Sequence, residues 1–397
     1  MLSAIVPLTL AVALTQAPPP DLTQVRVTSA SLRATVALDG NETPGARTDQ
    51  DTFKRAVRDW VEAHFSSGTN DYLALARRLD AEITQAGLHA KEGEEQPDPA
   101  AVANPYGTVA SFDITTDPAF KDGFIVTVAV GVFCGSDESV YAYRRTKSGV
   151  ARILEAATTN RVCGEALSRL SFSSPDGDGN QLALLTTIGT QCASNWNIVR
   201  YRLFRIPPGE APGAAAVFDE SHGSFEASEQ FESDVLPDEF TVEMRDRSID
   251  NDLHSRTHYL RYRVSGASVE RVDPVALQAQ DFVDEWVTRP WTEMESRSAA
   301  TSRETLGKWH KVLHADYVGG TFTLAQPCRD TPGLSQYGVE FGDAGGHEWP
   351  EPLQVFFLVR EQGNGTYQML DVSFARQEGC PGEGEPRGES PWRRLKK

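Results

Sequence analysis

The chain has 397 residues, enough for two or three domains, and its hydrophobic content of 40% is ordinary for a globular protein. Its formal net charge of −18 is unusual, because a chain this acidic lacks the basic surface that nucleic-acid binding requires. The same charge would repel anionic membrane surfaces. We therefore predict a globular protein with no nucleic-acid partner.

The first 17 residues have the pattern of a secretory signal. They carry no charge, are mostly apolar over 2–14, and end in Thr15-Gln16-Ala17, a small-x-small cleavage pattern. The apolar run is shorter than the roughly 17–20 residues that a membrane-spanning helix needs. We predict a signal peptide over 1–17, no membrane span in the mature chain, and a secreted or periplasmic location.

Two segments precede the β-rich part of the chain. Residues 18–48 are rich in Pro, Thr, Ala and Gly, which predicts a flexible leader. Apolar residues then recur at helical spacing, as in Phe53, Val57 and Trp60, and this predicts a helical pair over 49–90.

A repeat organises the middle of the chain. Residues 109–143, shifted by 58 positions, align with 167–201 and place Tyr143 on Tyr201. Each copy contains four short strand signals separated by turn residues, and a looser third copy includes Tyr262. We predict repeated four-strand antiparallel units over 104–274, either as propeller blades or as consecutive meanders.

Helical spacing returns after the repeats. Phe282 and Trp286 lie on one predicted helix, and four strand candidates follow, which indicates a C-terminal α+β module over 275–376. Residues 377–397 are rich in Gly, Glu and Pro and are predicted to be a disordered tail. The fold class is therefore α+β, predominantly antiparallel β with tandem four-stranded repeats and short helical pairs.

Five cysteines suit an exported protein. Cys134, Cys163 and Cys192 are expected at the same end of their strands, so two of these three are disulfide candidates. Cys328 and Cys380 flank the last four strands and are predicted to form a second bridge.

An acidic loop is a candidate metal site. Asp176, Asp178 and Asn180 alternate with glycines before a strand, and oxygen ligands at such spacing suit calcium. The run resembles the calcium loops of integrin-type FG-GAP/VCBS propeller repeats, and this resemblance implies a bound cation. We favour a tight polar turn, because Asp, Gly and Asn are turn formers, and keep calcium as the alternative. No other cofactor is predicted.

An aromatic residue followed by arginine recurs at matching positions of the repeats. Tyr143-Arg144, Tyr201-Arg202 and Tyr262-Arg263 carry it, and an acidic residue such as Glu155 or Asp219 ends the strand that follows. An arginine ring for an anionic ligand is one interpretation. We favour cross-strand pairing of Arg with carboxylate while the tyrosine packs over the sheet.

Two histidines, His310 and His314, lie four residues apart on a predicted helix and therefore on one face. Such a pair can bind a metal, but the glutamate of the zinc-protease motif is absent, so we favour structural histidines. The chain also lacks the G-x-S-x-G and phosphate-loop motifs.

These observations favour an exported, non-catalytic binding or envelope-associated scaffold protein, with a protein or a carbohydrate as its ligand. We favour a protein without enzymatic activity. The alternative is an exported hydrolase, metal-assisted, with acids at the strand ends and His310 or His314.

Overall fold

A computed structural model of the chain has an α+β fold in which antiparallel strands dominate, so the predicted fold class is confirmed. The structure describes residues 21–36, 43, 45–65, 71–89, 105–132, 135–147, 149–157, 165–190, 196–209, 213–225, 232–247, 255–272, 276, 278–315, 320–328, 331–341, 353–363 and 366–380. The predicted signal peptide over 1–17 lies outside these residues.

Three helices cover one face of the first sheet. The helices are α1 (Thr23–Thr35), α2 (Ala46–Glu62) and α3 (Tyr72–Gln85). The sheet is an antiparallel meander of β1 (Val109–Thr115), β2 (Gly123–Val132), β3 (Gly135–Thr146) and β4 (Gly149–Ala157). The helices and the sheet share one apolar core. Both α2 and α3 contribute to it, and it includes Phe53, Val57 and Trp60, whose spacing predicted a helix.

The prediction of a flexible leader over 18–48 is wrong where α1 lies. Val25 and Leu32, seven residues apart and so on one helix face, are buried in the core shared with the first sheet. The Ser29 hydroxyl donates a hydrogen bond of 2.6 Å to the Gly107 carbonyl oxygen. Gly107 has a φ of +71°, and a Cβ there would lie 2.7 Å from the Ser29 carbonyl oxygen. The close approach of α1 therefore depends on this glycine.

Two further four-stranded antiparallel sheets follow. The second sheet contains β5 (Glu165–Phe172), β6 (Gln181–Thr190), β7 (Trp196–Ile206) and β8 (Ala215–Phe225). The third contains β9 (Glu232–Val235), β10 (Glu239–Arg247), β11 (Ser255–Ser265) and β12 (Ser268–Arg271). A single parallel pair, Asp137 with Glu165, joins the first sheet to the second.

The three sheets stack face to face as consecutive meanders. Alternation along β6 shows why, since Ala183 and Leu185 pack toward the first sheet while Leu182 and Leu184 pack toward the third. A strand that is apolar on both faces must be covered on both faces. The order of layers is therefore helices, first sheet, second sheet and third sheet.

The C-terminal module repeats the helix-then-sheet arrangement. Its helices are α4 (Ala279–Thr288), α5 (Trp291–Met294) and α6 (Arg303–Ala315). Its sheet contains β13 (Gly320–Pro327), β14 (Leu334–Phe341), β15 (Leu353–Glu361) and β16 (Tyr367–Ser373). Trp286 is fully buried in the core between them. No helix among the described residues is long and apolar enough to cross a membrane.

The disulfide between Cys328 and Cys380 is confirmed. It lies on the face of the C-terminal sheet opposite the helices, where both cysteines pack against Leu334 and Leu358. Residues 377–380, predicted as the start of a disordered tail, are instead held by this bridge and by a hydrogen bond from the Gln377 amide to the Gln336 side chain. Residues 381–397 lie outside the described residues.

The bridge between Cys328 and Cys380 generates a stability prediction. We expect replacement of both cysteines by serine to lower the unfolding free energy by about 2–4 kcal/mol, because the unfolded chain regains the entropy that the crosslink removes. Urea unfolding followed by tryptophan fluorescence measures the loss, since Trp286 is buried in the same module. Wild-type protein treated with a reductant is the control and should show the same loss. An unchanged midpoint in the double variant would contradict this role.

Candidate functional site

A cluster of buried and partly buried polar groups lies where the second sheet, the third sheet and α4 meet. On β8, every second residue from Phe218 to His222 points to the same face, so Phe218, Glu220 and His222 share the face that packs on the third sheet. The register of the second sheet places Tyr201 of β7 directly opposite Glu220. Tyr262 of β11 reaches the same point from the third sheet. Polar groups therefore replace apolar ones at this end of the interface between the two sheets.

Four of these side chains form a closed hydrogen-bond ring. The Tyr201 hydroxyl lies 2.8 Å from His222 Nε2 and 2.9 Å from the Tyr262 hydroxyl. Tyr262 donates to Glu220 Oε2 at 3.0 Å, and Glu220 Oε1 lies 2.8 Å from His222 Nε2. Both tyrosines are almost fully buried. The ring thus satisfies hydroxyl groups that could not otherwise be buried without loss of stability.

The Glu285 carboxylate on α4 is the second centre of the cluster and is fully buried. His258 Nδ1 on β11 lies 3.0 Å from Glu285 Oε1, and Arg271 on β12 donates to Oε2 at 3.0 Å. Arg289, which follows α4, donates to the same Oε2 at 3.2 Å. Arg289 also lies 3.5 Å from Glu220 Oε1, so it connects this centre to the tyrosine ring. The third sheet, α4 and the second sheet are therefore joined by one network, which we call the junction network.

Charge and burial shift the pKa values of several groups in the junction network. Partial burial acts to raise the pKa of Glu220, but the hydrogen bond and charge of His222, with Arg289 and Tyr262, outweigh it and hold that pKa at about 2. Burial, reinforced by the Glu220 charge, raises the pKa of Tyr262. Burial, reinforced by the neighbouring Tyr262 and Glu220, raises the pKa of Tyr201. Glu220 is therefore ionised and both tyrosines are neutral at physiological pH.

One nitrogen of the junction network is poorly satisfied. His258 Nε2 is buried, and no described residue accepts or donates a hydrogen bond at it. Its nearest charged neighbour is Asp284, whose Oδ2 lies 3.9 Å away. Burying an imidazole nitrogen without a hydrogen-bond partner lowers stability.

The acidic loop at Asp176 lies before β6, away from the junction network. Asp176 Oδ1 accepts hydrogen bonds from the backbone amides of Asp178 and Asn180 at 2.9 and 2.8 Å. Its Oδ2 accepts from the Asn180 side-chain amide at 3.1 Å and from Arg205 at 2.9 Å. Although desolvation acts to raise the pKa of Asp176, these hydrogen bonds and the Arg205 charge lower it. The geometry is that of a polar turn, and the calcium alternative at Asp176, Asp178 and Asn180 stays a prediction.

His310 and His314 lie on α6 and face the end of α4. His310 Nε2 donates to the Arg289 carbonyl oxygen at 2.9 Å, and His314 Nδ1 donates to the Val287 carbonyl oxygen at 2.9 Å. Their rings stack with centroids 5.3 Å apart. Carbonyl groups at a helix end have no partner within the helix, so these histidines supply one.

The repeated tyrosines are buried, whereas the acidic residues pair with arginines outside the repeated phrase. Asp219 is bound by Arg200, and Glu155 is bound by Arg58. The tyrosines are therefore packed inside, as the favoured interpretation expected. The arginines that pair with these acidic residues differ from those predicted. Cys134, Cys163 and Cys192 lie outside the described residues, and the bridge between two of them stays a prediction.

Sequence reasoning missed the junction network itself. Two signals were present: the adjacent acids Asp284 and Glu285 between the apolar pairs Phe282-Val283 and Trp286-Val287, and the position of Glu220 two residues before His222 on a strand. Among the described residues, no group of three or more His, Cys, Asp or Glu side chains is arranged to hold a metal ion. Comparison with protein-family models and with curated proteins finds no match for this chain.

Glu285 is predicted to be essential for stability. We expect Glu285→Gln to lower the unfolding free energy by about 3–5 kcal/mol, because an amide cannot balance the charges of Arg271 and Arg289 in a buried site. Urea unfolding at neutral pH measures the loss. The control is Glu304→Gln on α6, where the side chain is 86% exposed, and its effect should stay within about 0.5 kcal/mol. Equal losses in the two variants would argue against a special role for Glu285.

Glu220 is predicted to make the fold sensitive to acid. Its pKa falls from an ordinary 4.5 to about 2 on folding, so its contribution to stability is complete above about pH 4.5 and disappears as the pH falls toward 2. This contribution is at most about 3 kcal/mol. We expect Glu220→Gln to be less stable than wild type at neutral pH, with a difference that shrinks below pH 4.5. Urea midpoints at a series of pH values test this, and parallel curves would contradict it.

Proposed function

We propose that this chain is an exported, non-catalytic binding protein in which the stacked sheets and helices form a scaffold. The proposal is carried by the contacts of the Glu285 carboxylate. It is bound by His258 on β11, Arg271 on β12 and Arg289 at the end of α4. A fully buried carboxylate and two largely buried arginines are thus committed to joining layers. Groups used in this way hold the layers in a fixed arrangement, and a binding scaffold requires such a fixed arrangement.

Two observations support export. The bond between Cys328 and Cys380 belongs to the class of crosslink that persists in oxidising compartments outside the cytosol. The apolar pattern of residues 1–17 supports the same compartment from the sequence. A secreted or periplasmic location is therefore part of the proposal.

The hydrolase alternative needs a general base, nucleophile or metal ligand that substrate can reach. His310 and His314, its candidate histidines, each use one ring nitrogen to donate to a backbone carbonyl of the segment that ends α4. The His310 ring is also almost fully buried, so substrate has little access to it. This burial and the donated bond favour a structural role for His310 and hence the binding protein over the hydrolase.

An activity screen separates the two functions. Purified wild type, Glu220→Gln and His310→Ala are incubated with ester, phosphoester, glycoside and peptide substrates, with and without added Zn²⁺ or Ca²⁺. We expect all three proteins to match a protein-free blank. Turnover by wild type that either substitution abolishes would overturn the non-catalytic proposal.

Binding is tested separately with the tagged protein at native expression in its own host. Chemical crosslinking of intact cells should give a discrete protein complex, and a glycan array tests the carbohydrate alternative. A wild-type protein that neither crosslinks to a partner nor binds a glycan would contradict a binding function.

A further inference from the structure

A small group of exposed apolar side chains lies on the C-terminal module. Phe374, just after β16, is 63% exposed, the highest value among the exposed large apolar residues of the described chain. Its ring meets the half-buried Trp309 ring edge to face, with centroids 4.8 Å apart. Val312, three residues after Trp309 and so adjacent on α6, is 46% exposed. Three neighbouring apolar side chains thus face solvent together.

The exposure of these residues is not explained by the packing of α6. The buried side of that helix consists of Leu306, His310 and Leu313, which contact the module core or the end of α4. Val312 lies on a different side of the helix, where a polar residue would be more usual. Leaving a phenylalanine exposed forgoes the favourable free energy that burial of its ring would contribute. Groups of exposed apolar residues with polar borders mark interaction sites more often than isolated ones do.

The border of this surface is basic in a strongly acidic protein. Lys308, which is 75% exposed, and the exposed Lys311 lie on α6 beside Val312. The whole chain contains only eight lysines and carries a net charge of −18. Lys308 forms an ion pair of 2.8 Å with Glu304 on the same helix, but an exposed pair of this kind contributes little and is readily exchanged. The surface therefore offers positive charge where the protein as a whole would repel an anion.

We infer that Trp309, Val312 and Phe374, with Lys308 and Lys311, form a docking surface for an acidic amphipathic segment of a partner protein. The inference rests on the proposed binding function and names the partner's chemistry. Apolar side chains of the segment pack on the Phe374 and Trp309 rings, while its carboxylates approach the two lysines. Charge complementarity selects this occupant, because the rest of the protein disfavours an acidic ligand.

The probe is a fluorescein-labelled synthetic helical peptide of about 16 residues, with leucine along one face and glutamate elsewhere. Fluorescence anisotropy should show saturable binding to wild type that weakens as salt increases. We expect Phe374→Ser, and Lys308→Glu combined with Lys311→Glu, each to weaken binding by at least about tenfold. The matched controls are Leu236→Ser and Lys121→Glu, at exposed positions elsewhere, and these should bind as wild type does.

Several results would overturn the inference. One is the absence of binding to wild type, and another is equal binding by Phe374→Ser and wild type. Self-association of wild type in sedimentation that Phe374→Ser abolishes would instead assign the surface to a second copy of the chain. The crosslinking experiment distinguishes a failure of this docking surface from a failure of the proposed binding function. A partner that crosslinks equally to wild type and Phe374→Ser leaves the binding function standing and places its site elsewhere.

Discussion

The junction between the C-terminal module and the third sheet depends on one buried carboxylate. Glu285 is removed from water on a helix of the C-terminal module, and an isolated carboxylate in that position would cost several kcal/mol. Its neighbours His258 and Arg271 come from the third sheet, and Arg289 comes from the end of its own helix. The helix can therefore be buried only where the third sheet supplies these partners. Apolar packing tolerates small displacements, but this set of hydrogen bonds fixes how α4 meets the third sheet.

Most of the fold was predictable because it follows local periodicity. Alternation along the strands and the repeat of 58 positions predicted the tandem four-stranded units, and the position of Cys328 and Cys380 around the last four strands predicted their bridge. The face-to-face stacking was not predictable, since a strand apolar on both faces suits a propeller and a stack equally. Helix α1 was missed because the surrounding Pro, Thr and Ala outweighed the short Val25 and Leu32 pattern.

The junction network could not be predicted, because its partners are far apart in the chain. His258 is 27 residues from Glu285, and Arg289 is 69 residues from Glu220. In sequence, such residues resemble the charged faces that most helices and strands turn to water. Only the stacking of the layers converts them into buried groups. The Asp176 loop is the opposite case, because its pattern is local. That pattern suggested a bound cation, whereas in the structure Arg205 from the next hairpin binds the Asp176 carboxylate.

The repeated tyrosine shows what the repeat preserves. The Tyr143 hydroxyl donates to Glu62 on α2 at 3.0 Å, and the Tyr262 hydroxyl donates to Glu220 on β8 at 3.0 Å. In both cases a carboxylate of the adjacent layer receives the bond, although one comes from a helix and the other from a strand. Tyr201, in the middle sheet, binds Tyr262 of the next layer instead. The repeated position is therefore a connection between layers that is reused with different partners. This explains how the copies share an architecture while their loops and acidic residues differ.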